Sequence, residues 1–347
     1  MTDVGPPSRT SRWIFVPAAV LVVLALAWSA FWWFAAQRAE ATMATWVEQE
    51  ARRGRIHTCA SRTVGGYPFR FEVRCTQPTM ELTGQQPSQV VKAKDVVAVA
   101  QVYQPGLIIA EITGPVTIGD SGQSPTWQAD WQVAQASLRG VPGRPERLSV
   151  VIDRLVFDQA GSGNERIGSA DRLELHVRRG PGATDDKPVV EFAAQSGGAV
   201  VRVGPLGARP IEAEINGVLR GVSDLRSKPM PERLREWQAA GGRLELTKLR
   251  LKQGDAVAVA AGGVGLTPAG RPDGAVDITM AGFDSLVREV ISERGGGRIQ
   301  LGLLAGLAFL GRPAEIDGKR GIAMTLRIND GATFLGPIPL GRVDPLF

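Results

Sequence analysis

The sequence predicts a mainly β protein: an N-terminal transmembrane helix and stalk, then a large, curved, mostly antiparallel β-sheet domain with a few short helices. Three observations predict it. The run from Trp13 to Ala36 is uncharged and apolar, and crossing a bilayer takes about 20 such residues. Apolar and polar residues alternate with period two along much of the remaining chain. Stretches rich in Gly and Pro separate these alternating segments, as consecutive antiparallel strands require.

Residues 1–12 precede the span and are read as a cytosolic N-terminus. Within residues 13–36 only Ser29 is plainly polar. Trp13 at one end and Phe31, Trp32, Trp33 and Phe34 at the other fall where amphipathic rings favour the headgroup zones, so the lipid bilayer is the first expected partner. Pro17 lies early in the helix, where a missing N–H costs least. The rival reading is a cleaved secretory signal, with Ala35-Ala36-Gln37 as a weak cleavage site. Its apolar core should be only about 7–15 residues long, so length favours an uncleaved anchor.

Residues 37–54 read as a helical stalk, with Ala39, Met43, Trp46 and Val47 at helical spacing and Gly54 as terminator. Residues 55–347 form the β-rich domain, and a subdivision near 225 is left open. Here Phe69, Phe71, Val73 and Cys75 face one way and Arg70, Glu72 and Arg74 the other. The same alternation returns at Trp127, Ala129, Trp131 and Val133, at Leu173, Leu175 and Val177, at Leu244 and Leu246, and at Val276, Ile278 and Met280. Turns are expected at Gly119 to Pro125, Gly140 to Pro145, Gly180 to Pro188 and Pro268 to Gly274.

Three short helices are predicted. One starts at Pro231 and stops before Gly241-Gly242, with Leu234 and Trp237 facing inward. Another covers Asp284 to Glu293. The third, Leu301 to Leu310, is apolar all round yet too short to span, which favours a buried helix. Val96 to Val102, Leu107 to Ile112 and Ala256 to Val264 are nearly apolar on both faces. Either these strands are buried on both sides, or the sheet is open and an apolar face receives acyl chains. Small residues from Ala258 to Gly263 would leave room along such a face.

Cys59 and Cys75 are the only cysteines. They flank a turn between extended stretches and are expected to form a disulfide, which requires an oxidising compartment; two buried thiols are the alternative. This places the C-terminal domain in the periplasm, on a single-pass anchor in the inner, cytoplasmic membrane. The formal net charge is +5, too slight and too evenly spread for nucleic-acid binding. The Arg52-Arg53-Gly54-Arg55 cluster reads as ordinary polarity flanking a membrane helix.

No catalytic constellation emerges, and an enzyme is not expected. His57 and His176 read as exposed, and with two cysteines they show no metal-ligand spacing, so neither metal nor cofactor is expected. Gly161-Ser162-Gly163 lacks the setting of a nucleophile elbow. Gly262-Gly263-Val264-Gly265 fails the dinucleotide fingerprint, and Gly295-Gly296-Gly297 is no phosphate loop. Asp153, Asp158, Asp171 and Glu174 read as solvated carboxylates. Gly66-Tyr67-Pro68-Phe69 forms a tight turn beside the cysteine pair, with Tyr67 and Phe69 as candidate ligand or turn contacts.

Several segments carry a family likeness: Trp237-Gln238-Ala239-Ala240-Gly241-Gly242-Arg243-Leu244-Glu245-Leu246, Leu249-Arg250-Leu251, Gly262 to Gly274, Gly66-Tyr67-Pro68-Phe69-Arg70 and Leu335-Gly336-Pro337-Ile338-Pro339-Leu340-Gly341. The chain resembles the proteobacterial family catalogued as domain of unknown function 2125, over nearly everything after the anchor. That resemblance implies no catalytic residues. More distantly, the chain resembles AsmA-like envelope proteins, which implies lipid transfer along apolar β-sheet grooves. The expected function is a membrane-anchored periplasmic protein that binds or transfers phospholipid or another acyl ligand. The alternative is a non-enzymatic envelope scaffold that presents its sheet edge to protein partners.

Overall fold

The computed structural model describes residues 12–84, 87–141, 143–161, 165–184, 188–202, 209–222, 229–283 and 311–347. The segments read as anchor and stalk are one helix, α1 (Val16–Arg52), entered through a 3-10 turn at Arg12–Phe15, with Pro17 in its first turn. From Val16 to Trp28 every described side chain is exposed. Beyond that point Ser29, Trp32, Ala36, Ala39, Met43, Val47 and Glu50 are covered at three- and four-residue spacing, so one stripe of the helix packs on the body. Gly54 ends it with φ +76°, a conformation only glycine adopts freely.

Among the described residues twenty-one strands follow, and all their pairings are antiparallel. The first eleven are β1 (Arg55–Thr58), β2 (Ser61–Gly65), β3 (Arg70–Thr76), β4 (Thr79–Leu82), β5 (Gln89–Lys92), β6 (Asp95–Gln101), β7 (Gln104–Thr113), β8 (Val116–Asp120), β9 (Trp127–Asp130), β10 (Val133–Arg139) and β11 (Arg147–Gln159). They form two arms that meet on β11. One arm runs β2, β3, β6, β7, β10 and joins the first half of β11. The other runs β1, β4, β5, β8, β9 and joins its second half. Arg154, at φ +55°, lies where β11 changes partner. The outer strands β1 and β2 are consecutive but do not pair, so the sheet is not closed, and α1 lies against both.

From β11 the sheet continues as a meander: β12 (Glu165–Arg179), β13 (Val189–Val201), β14 (Ile211–Arg220), β15 (Arg243–Gln253), β16 (Ala256–Leu266) and β17 (Pro272–Ala281). Helix α2 (Met230–Ala239) sits in the β14–β15 connection, with the Trp237 indole donating to the Arg220 carbonyl at 2.6 Å. The last strands are β18 (Arg312–Ile316), β19 (Lys319–Asn329), β20 (Ala332–Leu335) and β21 (Ile338–Arg342). β19 pairs with β17 and carries β18 and β20, and β21 pairs with β20.

Three expectations are corrected here. Trp127 to Val133 is two strands rather than one: Trp131 turns the corner between β9 and β10, and its indole donates to the Ile112 carbonyl at 2.7 Å. Phe69 belongs to the β2–β3 turn, which holds the cis Tyr67–Pro68 bond, rather than to the face of β3. Burial on both sides does not hold for Leu107 to Ile112, because Ile109 is 46% exposed. The helices expected at Asp284 to Glu293 and Leu301 to Leu310, and Gly295-Gly296-Gly297, lie outside the described residues. So do Ser162 and Gly163.

Candidate functional site: an apolar sheet face and the turn beside the N-terminal helix

Residues paired in register across an antiparallel ladder share a face. Following the register from β3 to β19 therefore sorts the side chains of the long arm into two sets. Phe71 and Val73 pair with Ala100 and Ala98, then come Ile108 and Ala110, Leu138 and Ala136, and Leu148 and Val150. The row continues through Leu175 and Val177, Ala194 and Phe192, Ile215 and Gly217, and then Leu249 and Leu246. It ends through Ala260 and Gly262, Ile278 and Val276, and Met324 and Leu326. This face is apolar across twelve strands.

The opposite face carries the charge. Arg172 pairs with Asp153 at 2.7 Å and with Glu174, Arg178 with Glu191 at 2.6 Å, Arg220 with Glu245 at 2.9 Å, and Lys248 with Glu214 at 2.7 Å. The Arg172 guanidinium, with Gln195 and His176 donating as well, holds the Glu174 carboxyl down to about 2. Glu214 and Glu245 are likewise held below the ordinary carboxylate range, chiefly by Lys248 and Arg220. The side chains of these pairs remain partly exposed. Of the carboxylates singled out in the sequence, Asp153 and Glu174 meet on Arg172, whereas Asp158 takes Arg166 at 2.7 Å and Asp171 is exposed.

Among the described residues little covers the apolar face. Nine apolar side chains of the described residues are buried, and Ala134, Ala256, Ala260 and Met324 of these belong to that face. The compact cluster of Val257, Ala281 and Ile316 lies on the charged side, since Val257 and Ala281 are register partners out of phase with Ala258 and Met280. Most of the apolar face is half-buried rather than fully buried. Leu175 and Leu251 remain 38% and 40% exposed.

The helix and the sheet meet at a defined end. The Trp28 indole donates to the Pro68 carbonyl at 3.0 Å, the Ser29 and Tyr67 hydroxyls share a hydrogen bond of 2.7 Å, and the Trp32 indole donates to the Arg70 carbonyl at 3.1 Å. The Trp32 ring stacks on Phe71 and meets Tyr67 edge-on. Further along α1, Glu40 reaches Arg62 at 3.9 Å and Trp46 lies over His57, with ring centroids 5.0 Å apart. At the stalk's end Glu50 is buried between Arg53 and Arg55, and these two cations, Arg55 foremost, hold its carboxyl below the usual range. The helix therefore runs away from its apolar N-terminal part down the body, and the β2–β3 turn is the part of the sheet that meets the exposed apolar part of α1.

Cys59 and Cys75 are joined in a disulfide that pins the β1–β2 corner to β3. Tyr67 is a turn and helix contact; Phe69 points out of the same turn, 65% exposed. Of the aromatic residues assigned to the membrane, Trp13, Phe31, Trp33 and Phe34 are exposed, whereas Trp32 turns inward to the body. His57 departs from expectation, being half-buried under Trp46, and that burial lowers its basicity. His176 is exposed beside Glu174. Gly262 belongs to the apolar face, and a Cβ there would lie 2.2 Å from the Ala275 carbonyl, so this glycine permits close strand approach. No group of three or more His, Cys, Asp or Glu suited to a metal ion occurs among the described residues.

No curated protein and no solved structure matches the chain. A family described as "Uncharacterized protein conserved in bacteria (DUF2125)" matches residues 32–344, from the end of the apolar run almost to the C-terminus. The chain belongs to the DUF2125 family.

Proposed function

We propose that this protein is a single-pass protein of the inner membrane whose periplasmic sheet holds lipid acyl chains on its apolar face, without catalysis. The observation that carries the reading is the segregation of the two faces: twelve strands place apolar side chains together, and the ion pairs stand on the other side. An acyl chain is long, flexible and without hydrogen-bonding groups, so it suits a broad apolar surface that offers no polar fixing points. The first of the strands that bear this face, β3, begins beside a helix that is long and apolar enough to cross a bilayer. The Cys59–Cys75 bridge supports an oxidising compartment for the body.

The scaffold reading is weaker at the terminal strand, because β21 carries Pro339 and Arg342, two residue types that oppose pairing with another strand. The test of the lipid reading is to purify the full chain from membranes, quantify its bound phospholipid, and titrate it with a fluorescent fatty acid. Saturable binding that natural phospholipid displaces supports it. Protein that carries no lipid beyond its detergent micelle, and a probe that does not saturate, overturn it.

A further inference from the structure

We infer that the strand ends beside the anchor form a second membrane contact, in which Phe69 and Tyr103 sit in the headgroup–acyl boundary and a row of arginines meets anionic headgroups. The inference rests on the reading of α1 as a membrane span. Counting about 20 residues from Trp13 brings the far boundary of the hydrocarbon to Trp32 or Trp33. Yet the turn at Tyr67 to Arg70 is hydrogen-bonded to Trp28, Ser29 and Trp32, at and below that level. The turn cannot keep these bonds and stay clear of the bilayer. Gly66, at φ +98°, holds the turn against β3: a Cβ there would lie 2.6 Å from the Arg70 carbonyl.

What the turn offers at this depth is suited to it. Phe69 is 65% exposed and Tyr67 54%. The next strand connection ends at the same level, since the Val102 N–H donates to the Phe69 carbonyl at 3.0 Å, and its Tyr103 is 75% exposed. Aromatic rings with one apolar side and one polar tip gain most at the membrane interface. One strand further, Arg139 stands opposite Arg147, and Arg147 opposite Arg178, on three neighbouring strand ends. Like charges directly opposite each other destabilise a sheet. Glu191 offsets Arg178, but among the described residues neither Arg139 nor Arg147 has a carboxylate within ion-pair distance. An anionic leaflet at that end supplies the missing counter-charge.

The native cysteines are bridged, so one added cysteine takes a fluorescent label without competition. The full chain, as F69C, Y103C or K94C, is reconstituted into vesicles of equal parts phosphatidylglycerol and phosphatidylcholine. Lys94 is exposed at the far end of β6. Labels at 69 and 103 should be quenched several-fold more by nitroxide-bearing lipid than by an aqueous quencher, and the label at 94 should show the reverse. R139Q/R147Q should reduce the lipid-side quenching at 103. If all three labels behave as aqueous while the protein resists alkaline extraction, the second contact is wrong and the span stands. If alkali extracts the protein, both fall.

Discussion

Replacing Leu175 with Gln separates a face that holds lipid from a face that forms a core. Leu175 lies on the apolar side of β12, in register with Val150 and Ala194, and is 38% exposed. Full burial of a leucine is worth about 1.5–3 kcal/mol, so the buried three-fifths of this one corresponds to about 1–2 kcal/mol lost on substitution. A leucine truncated inside a packed core costs about 2–5 kcal/mol, with a cavity added. The comparison residue is Val257, almost fully buried against Ala281 and Ile316; Val257→Ala deletes buried apolar volume without adding a polar atom and is expected to cost about 2 kcal/mol. Urea unfolding of both variants, with phospholipid content measured in parallel, makes the test. Leu175→Gln should cost about 1–2 kcal/mol and lower the bound lipid; Val257→Ala should cost a similar amount and leave lipid content unchanged. A loss of more than about 3 kcal/mol at Leu175 with lipid content intact would refute the reasoning, since it would show the position packed rather than open.

Three further outcomes are expected. Removing the Cys59–Cys75 bridge, whose cysteines are 16 residues apart, should cost about 3 kcal/mol, read as a lower urea midpoint that reductant reproduces in the parent protein. Glu50→Gln leaves the mostly buried Arg55 without its carboxylate and should cost about 2–4 kcal/mol, with protease cleavage at the stalk–sheet junction rising in step. The folded Glu174 carboxyl is depressed to about 2, so its contribution is present above the unfolded value near 4.5 and disappears as pH falls toward about 2. Because its partner Arg172 is half exposed, the contribution is only about 1 kcal/mol, and Glu174→Gln should flatten the acid limb of the stability profile by that amount.

Individual strands were legible because the alternation is local. Phe71, Val73 and Cys75, or Leu173, Leu175 and Val177, announce a half-buried strand without any knowledge of what pairs with it. The turn at Gly66 to Phe69 and the helix at Met230 were legible for a similar reason, through glycine and proline chemistry that acts within a few residues. That all these faces coincide was not legible. The bulge between Leu246 and Leu249 keeps Leu249 and Leu251 on the same side as Leu244 and Leu246, although their numbering breaks the alternation. Register, too, is a property of pairs of strands, so the row Arg139, Arg147 and Arg178 cannot be seen along the chain. The contacts of Trp28, Ser29 and Trp32 with a turn nearly 40 residues away belong to tertiary structure. In the sequence, Ser29 is merely the polar exception in an apolar run; the structure explains it through Tyr67. His57 reads as exposed along the chain, whereas Trp46 of the stalk covers it in the fold.

The most direct measurement of the central claim is site-specific photo-crosslinking in intact membranes, with a photoreactive amino acid replacing one residue at a time on the two faces of the same strands. Positions Leu175 and Leu251 point to the apolar side, and their neighbours His176 and Lys252 to the charged side. Phospholipid adducts at 175 and 251 and none at 176 and 252 are the predicted result. Adducts at equal frequency on both faces, or protein adducts alone at 175 and 251, would contradict the claim that this sheet holds lipid.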